Sequence, residues 1–202
     1  SEALIPASAT ATAELVAREA GVFSGGAVFS AAFSLTDHGV ETDLRVPDGD
    51  RFSPGDVLAV VTGPARAILT AERIGLNFVQ RMSGIATVTA AYVDVVAGTG
   101  VRIVDTRKTT PGLRAFERHA VRSGGGANHR FSLSDAVMAK DNHLAVLTRS
   151  GVSVTDARML VVRSESTFTV IDLGRLSISC GSMVRMLSAV SMMLAPGWRC
   201  TF

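Results

Sequence analysis

The chain has 202 residues, of which 47% are hydrophobic and 19% charged, a composition typical of a globular protein with one large domain or two small ones. The formal net charge of +2 is too small to favour a nucleic-acid or membrane-surface partner. Two cysteines without a C-x-x-C motif argue against a disulfide framework or a zinc site, and the lack of a signal-peptide pattern or a bilayer-spanning apolar stretch leads us to expect a cytoplasmic protein.

The N-terminal part carries the pattern of short strands around one helix. Residues 9–24 alternate in polarity around Leu15, which predicts a strand that ends at a Gly-Gly pair. Residues 27–36 are predicted to form a short helix, and residues 40–46 and 57–62 two further strands bounded by Pro, Gly and Asp turn signals. Together these elements predict a small α+β layer.

A long helical stretch follows at about residues 65–97, where apolar residues recur at helical spacing. Ser83-Gly84 is expected to break this stretch into two helices. Arg73 lies in the first of them, and its position alone predicts a solvated surface arginine.

From residue 101 the pattern changes to strand, helix and strand. Residues 101–106 are β-rich, residues 113–121 are helical, and residues 136–139 form another apolar run, which predicts a βαβ unit in a parallel sheet. In parallel α/β folds the chemistry lies at the carboxyl ends of the strands. The chain's only two lysines, Lys108 and Lys140, follow the two predicted strands.

Cationic side chains are concentrated between the two lysines. Arginine can form two parallel N–H bonds to a carboxylate or phosphate, whereas lysine supplies a compact charge. We therefore expect a pocket for a small, multiply charged anion, built from Arg107, Lys108, His129, Arg130 and Lys140.

Three interpretations in this region stay open on the sequence. The triple glycine at 124–126 fits either a phosphate cradle or a turn that ends a helix. His129 fits a general base, a hydrogen-bond donor or a structural histidine. Asp105 could orient Lys108 by charge pairing, or it could be a structural acid.

Three separated motifs resemble those of the quinolinate phosphoribosyltransferase family, also called carboxylating nicotinate-nucleotide pyrophosphorylases. They are Asp-Thr-Arg-Lys-Thr-Thr-Pro-Gly-Leu-Arg at 105–114, Gly-Gly-Gly-Ala-Asn-His-Arg at 124–130 and Met-Ala-Lys-Asp-Asn-His at 138–143. The similarity continues upstream through 69–77 and 83–86, in collinear order.

The resemblance implies an α/β protein with two domains. An α+β N-terminal sandwich domain with the long helical segment would occupy residues 1–98, and a parallel α/β-barrel-type domain would occupy residues 99–202. The implied reaction transfers a phosphoribosyl group from phosphoribosyl pyrophosphate to the ring nitrogen of quinolinate. Carbon dioxide and pyrophosphate leave, and nicotinate mononucleotide is formed for NAD biosynthesis.

The resemblance also assigns roles by motif match. Arg107, Arg130 and Lys140 would bind the quinolinate carboxylates, with Thr106 and His129 beside them, and Lys108 would face the phosphates. Lys108 and Lys140 would be the catalytic cations. Arg73 matches the family arginine that reaches into the neighbouring subunit's site, so a homodimer or higher oligomer is implied. Mg²⁺ is expected to accompany phosphoribosyl pyrophosphate, with no metal ligand assigned in this chain.

The tail departs from the family pattern from about residue 148. We find neither the acid-bearing strand ends nor the phosphate loop of the family there, and too few residues to complete an eight-stranded barrel. We hypothesise a shifted reading frame or a degenerate end, with a divergent C-terminus as the alternative. Two other functions therefore stay open: a truncated, non-catalytic remnant that binds a dicarboxylate or a full-length partner, and a phosphoribosyltransferase-like protein associated with molybdenum transport.

Overall fold

The computed structural model describes residues 3–129, 141–151, 153 and 197–201. Two compact units make up the chain, Ser1–Asn128 with Cys180–Phe202 and, separately, His129–Ser179. The described elements are β1 (Thr10–Val16), β2 (Gly21–Val22), α1 (Gly26–Ser34), β3 (Glu41–Leu44), β4 (Arg51–Phe52), β5 (Val57–Pro64), α2 (Ala65–Val95), α3 (Arg114–Ser123), α4 (Asp141–Arg149) and β6 (Gly197–Thr201).

A four-stranded antiparallel sheet in the order β3-β5-β1-β6 forms one layer of the first unit. In β1, Ala11, Ala13 and Leu15 are buried on one face, so the expected alternation around Leu15 is confirmed. The strand ends at Val16 and not at the Gly-Gly pair, and residues 21–22 form the separate strand β2, which pairs with β4. The expected strands at 40–46 and 57–62 are confirmed as β3 and β5. β6 brings the last described residues of the chain to this sheet, where it pairs with β1.

Helices α1 and α2 cover the sheet and enclose the main core. Phe29 and Phe33 of α1 are fully buried, and their rings meet edge to face with centroids 5.0 Å apart. A Cβ at Gly75 of α2 would lie only 3.1 Å from the Phe29 ring, so the glycine lets the two helices approach closely. The short helix expected at 27–36 is confirmed.

The expected break at Ser83-Gly84 is wrong, because α2 is continuous over its 31 residues. Both residues are buried, and the Ser83 hydroxyl accepts a hydrogen bond from the Ser24 N–H (3.0 Å) and lies 3.2 Å from the Ser24 carbonyl oxygen. A partner 59 residues away therefore fixes the helix at this point and offsets the low helix propensity of Ser and Gly.

Polar contacts attach α3 to the first part of the chain. The carboxylate of Asp48 accepts bonds from the N–H groups of Gly25 and Gly26 (2.9 Å each), at the start of α1, and lies 2.6 Å from His119 Nε2 of α3. At the C-terminal end of α3, the Ser123 hydroxyl lies 2.9 Å from the Ser24 hydroxyl. These contacts set the position of the helix that precedes the glycine turn.

The β-rich run before α3 begins the parallel part of the fold. Val104 forms a parallel bridge with Ala127, the Ala127 N–H donates to the Ile103 carbonyl (2.8 Å), and the Asp105 N–H donates to the Ala127 carbonyl (2.9 Å). The run at 101–106 is thus an isolated bridge and not a full strand. The apolar run at 136–139 lies outside the described residues. The α/β fold class, with mixed helices and strands, is confirmed.

The second unit is described only around α4. Its last turn carries Arg149, and the Ser150 N–H donates to the Val146 carbonyl at 3.1 Å, which closes the helix. No helix in the described ranges is both long and apolar enough to cross a membrane.

Candidate active site

The segment at 105–110 leaves the parallel bridge and turns before α3 begins. The Lys108 N–H donates to the Thr106 hydroxyl at 3.2 Å, and the Thr109 N–H donates to the Arg107 carbonyl at 3.0 Å. These local bonds form what we call the cationic turn, residues 106–109. The turn therefore follows the parallel bridge at Val104, in the segment where the sequence predicted chemistry.

Asp105 anchors the start of the cationic turn. Its carboxylate is almost fully buried and lies 3.5 Å from the Arg118 guanidinium of α3. With the Asn128 amide assigned so that its nitrogen faces the acid, Asn128 donates to the same carboxylate at 3.1 Å and to the Arg118 carbonyl at 3.2 Å. These contacts are those of a structural acid that ties the strand to α3.

Thr110 anchors the end of the cationic turn. The guanidinium of Arg81 in α2 hydrogen-bonds to the Thr110 hydroxyl and pairs with the carboxylate of Glu117 in α3. The Glu117 carboxylate in turn accepts a bond from the Thr110 N–H at 3.3 Å. No local sequence pattern indicates a role for Arg81, Glu117 or Arg118, because 36 residues separate Arg81 from its acid and only packing brings them together.

Between these anchors, the two cations of the turn are exposed. Arg107 and Lys108 point away from the core, and no ion pair among the described residues includes either of them. Thr106 is exposed as well, although its hydroxyl accepts the Lys108 N–H. Two cations on a short fixed turn present a positive site in which both the guanidinium fork and the ammonium are accessible to an anion.

The other expected site residues lie elsewhere or outside the described ranges. His129 is exposed and belongs to the second unit. Arg73 is exposed on α2. Ile85 is the first α2 residue that lines the pocket beside the cationic turn, and it lies 12 residues after Arg73, about 18 Å along the helix. Arg130 and Lys140 lie outside the described residues.

A pocket with about 610 Å³ of empty space, part of it open to solvent, adjoins the cationic turn. Ile85, Val88 and Tyr92 of α2 form one wall, and Val121 of α3 adds to a mostly apolar lining. Thr106 and Lys108 are the expected site residues that line it, whereas Arg107 does not. Asp105, Glu117 and Arg118 also line the pocket, so its charged residues are of both signs. The mostly apolar walls suit a flat ring.

The glycine run after α3 has a packing explanation. The Gly125 N–H donates to Arg122 and the Gly126 N–H to Val121 (2.9 and 3.0 Å), with Gly125 at φ +81°, which is a Schellman helix end. A Cβ on Gly124 would lie 2.3 Å from the Ala86 carbonyl oxygen of α2. The backbone of Gly124 thus approaches a helix and not an open site, which is what the turn interpretation predicts.

The described residues do not fit a metal site. No group of three or more His, Cys, Asp or Glu side chains within the described ranges could hold a metal ion. Asp105, the acid nearest the cationic turn in sequence, is engaged by Arg118 and Asn128 instead. Mg²⁺ therefore enters no step derived below.

Two family models match the chain in order. The N-terminal domain model of quinolinate phosphoribosyl transferase matches residues 1–83, and the C-terminal domain model matches residues 85–173. The chain belongs to the quinolinate phosphoribosyl transferase family. The second match reaches beyond residue 148, where the tail was expected to become atypical.

Relatives and solved structures agree with this membership. The chain is 51% identical over 133 residues to a probable carboxylating nicotinate-nucleotide pyrophosphorylase of Bacillus subtilis, covering 66% of this chain and 46% of that protein. It is 48% identical over 161 residues to the enzyme so named in Mycobacterium leprae, covering 77% and 54%. The crystal structure of NadC from Streptococcus pyogenes superposes with a TM-score of 0.78 at 36% identity, covering 94% and 72%. The chain spans about half the length of these two curated relatives.

Proposed function

We propose that this chain binds quinolinate and phosphoribosyl pyrophosphate and transfers the phosphoribosyl group to the ring nitrogen of quinolinate, giving nicotinate mononucleotide, pyrophosphate and carbon dioxide. The observation that carries the proposal is the cationic turn: Arg107 and Lys108 stand exposed, on a turn fixed at both ends, directly after the parallel bridge at Val104. The carboxylating pyrophosphorylase names of the relatives support the same reaction.

The chemistry of the turn suits the proposed substrates. Quinolinate is a flat dianion, so forked donors from Arg107 favour one of its carboxylates, and the apolar pocket that Lys108 lines favours the ring. Phosphoribosyl pyrophosphate adds a second, more highly charged anion, for which the Lys108 ammonium supplies point charge. Mg²⁺ remains part of the proposal as a companion of that substrate, and no residue of this chain is assigned to hold it.

Two further parts of the proposal concern assembly and location. We place Arg73 at the site of a second copy of the chain because it matches the family arginine that reaches into the neighbouring subunit's site, and its exposure on α2 is compatible with this role. Light scattering of the pure protein tests the implied dimer, and a monomer at all concentrations would remove this role. A cytoplasmic location belongs to the same proposal.

Quinolinate binding measured by titration calorimetry tests the site. Arg107→Ala is expected to weaken binding about 10-fold to 100-fold, the usual loss for one charge-assisted hydrogen-bonding group. The variants Arg130→Ala and Lys140→Ala are expected to abolish binding without unfolding the chain. Arg45→Ala is the matched control, since Arg45 is an exposed arginine paired with Asp43 in the N-terminal sheet region. Equal affinities of all four variants and the wild type would refute the assignment.

A further inference from the structure

The Arg81 side chain reaches away from its own helix toward the cationic turn. α2 and α3 pack through Phe78 and Phe116, whose ring centroids are 5.0 Å apart, and through Met82, Ile85 and Ala120. Arg81 lies on the same side of α2, so its guanidinium arrives at Glu117 and Thr110, one helix away from its backbone.

This arrangement leaves one donor of the guanidinium without a partner. Arg81 Nε is buried and makes no hydrogen bond to the described residues. A freely solvated arginine would extend until all five of its donors were hydrated. One terminal nitrogen of Arg81 instead contacts the Thr110 hydroxyl, just after the turn, and the Glu117 carboxylate. These two contacts determine where the Arg81 side chain lies.

Glu117 completes the link, because it contacts both partners. One carboxylate oxygen pairs with Arg81, and the other accepts the Thr110 N–H at 3.3 Å. Its side chain is only 14% exposed, whereas that of Arg81 is 40% exposed, so solvent partly screens this ion pair. The backbone and the hydroxyl of Thr110 are therefore both held, one by each member of the ion pair.

We propose that Arg81 and Glu117 are positioning residues, which fix the cationic turn from its Thr110 end and thereby hold Arg107 and Lys108 in place for an anionic substrate. The Asp105 contacts hold the other end of the turn, and the four residues between the two anchors carry the exposed cations. This inference rests on the proposed function for the identity of the anion, quinolinate, but not for the ordering of the turn. Arg81 does not line the pocket proposed for the quinolinate ring, whereas Glu117 does, so Arg81 carries the test of a positioning role.

Lysine-specific proteolysis tests the ordering of the turn in the full chain. The chain has only two lysines, so such a protease can cut only after Lys108, within the turn, and after Lys140, which serves as a reference in the same molecule. Cleavage of a folded protein follows the population of the locally open form. Arg81→Gln is expected to raise the rate at Lys108 about tenfold relative to Lys140, as for the loss of one charge-assisted contact.

A milder variant and a control keep this test decisive. Glu117→Gln preserves shape and the acceptor for Thr110, so it is expected to raise the ratio about threefold, as for a weakened hydrogen bond. Arg51→Gln removes an exposed ion pair with Asp94 and should leave the ratio unchanged. An unchanged Lys108 rate in Arg81→Gln and Glu117→Gln, or equal acceleration at both lysines, would overturn the proposal.

Quinolinate affinity separates a positioning role from a merely structural one. If Arg81 acts through the cations of the turn, Arg81→Gln weakens quinolinate binding about tenfold in the wild-type background and clearly less in the Arg107→Ala background, where only Lys108 remains to be positioned. The same loss in both backgrounds, or no loss in either, would contradict the positioning role. Failure of the wild type to bind quinolinate would remove the proposed function and this substrate role, whereas the cleavage ratio would still decide whether the turn is held.

Discussion

Replacement of Gly124 by alanine tests whether the glycine run serves packing. An added Cβ would lie 2.3 Å from the Ala86 carbonyl oxygen and 2.6 Å from Thr89 Cβ, roughly 1 Å inside ordinary contact distance. The obstacles include the backbone of α2, which is packed on both sides, so it cannot give way as a flexible side chain would. Gly124 itself has φ −77°, which alanine adopts without strain, so the clash is the whole penalty.

The expected magnitude follows from two opposing terms. Overpacking against a rigid neighbour costs about 1–3 kcal/mol, and the backbone obstacle at Gly124 places this case at the upper end. Alanine also restricts the unfolded chain, which returns about 0.4–1 kcal/mol. The net loss in the free energy of unfolding is therefore about 2 kcal/mol, or roughly 4–8 °C in Tm for a chain of this size.

Gly125→Ala supplies the matched comparison one residue away. Gly125 has φ +81°, and its nearest neighbour to an added Cβ is Val93 at an ordinary 3.6 Å. Gly125→Ala therefore introduces backbone strain of about 1–2 kcal/mol, which the restriction of the unfolded chain partly offsets. The net loss in the free energy of unfolding is about 0.5–1 kcal/mol. Urea unfolding followed by far-UV circular dichroism measures both variants against the wild type.

Which of the two variants loses more stability decides whether the glycine run serves helix packing or forms a phosphate cradle. Packing predicts that Gly124→Ala is clearly the less stable variant. A phosphate cradle predicts instead that Gly124→Ala keeps its stability and loses affinity for pyrophosphate. Wild-type stability in Gly124→Ala, or a smaller loss than in Gly125→Ala, would refute the packing argument.

Two other substitutions test how the site is held. Ser83→Ala leaves the buried Ser24 N–H without its 3.0 Å acceptor, so we expect a loss of about 1–3 kcal/mol in urea unfolding, and a loss within error would show that the hydroxyl is dispensable. Arg118→Met removes the guanidinium 3.5 Å from the nearly buried Asp105 carboxylate, so we expect the free energy of unfolding to fall by about 2–4 kcal/mol. Arg51→Met breaks an exposed ion pair with Asp94 and should lower it by less than about 1 kcal/mol. Equal losses from the two variants would contradict a structural role for Asp105.

The local elements of the N-terminal unit could be predicted because local pattern determines them. The alternation around Leu15 places that side chain in the core, and β1 follows. The continuity of α2 at Ser83-Gly84 could not be predicted, since local propensity favours a break there and the partner that overrides it is Ser24, 59 residues away.

The candidate site was predictable to a similar degree. A parallel strand end followed by Arg107 and Lys108 indicates an anion site from spacing and charge alone. The sequence could not decide whether Asp105 pairs with Lys108 or is a structural acid. Its partner is Arg118, which reaches Asp105 only through the packing of α3. The link from Arg81 to Thr110 likewise depends on two helices meeting, which no local pattern encodes.

The most direct test of the central claim is a product assay on this chain. The purified protein is supplied with quinolinate, phosphoribosyl pyrophosphate and Mg²⁺, and nicotinate mononucleotide is measured by chromatography. The proposed function predicts product above background that is lost in Lys140→Ala and retained in Arg45→Ala. A folded protein that forms no product would contradict the claim and leave the chain a family member by ancestry alone.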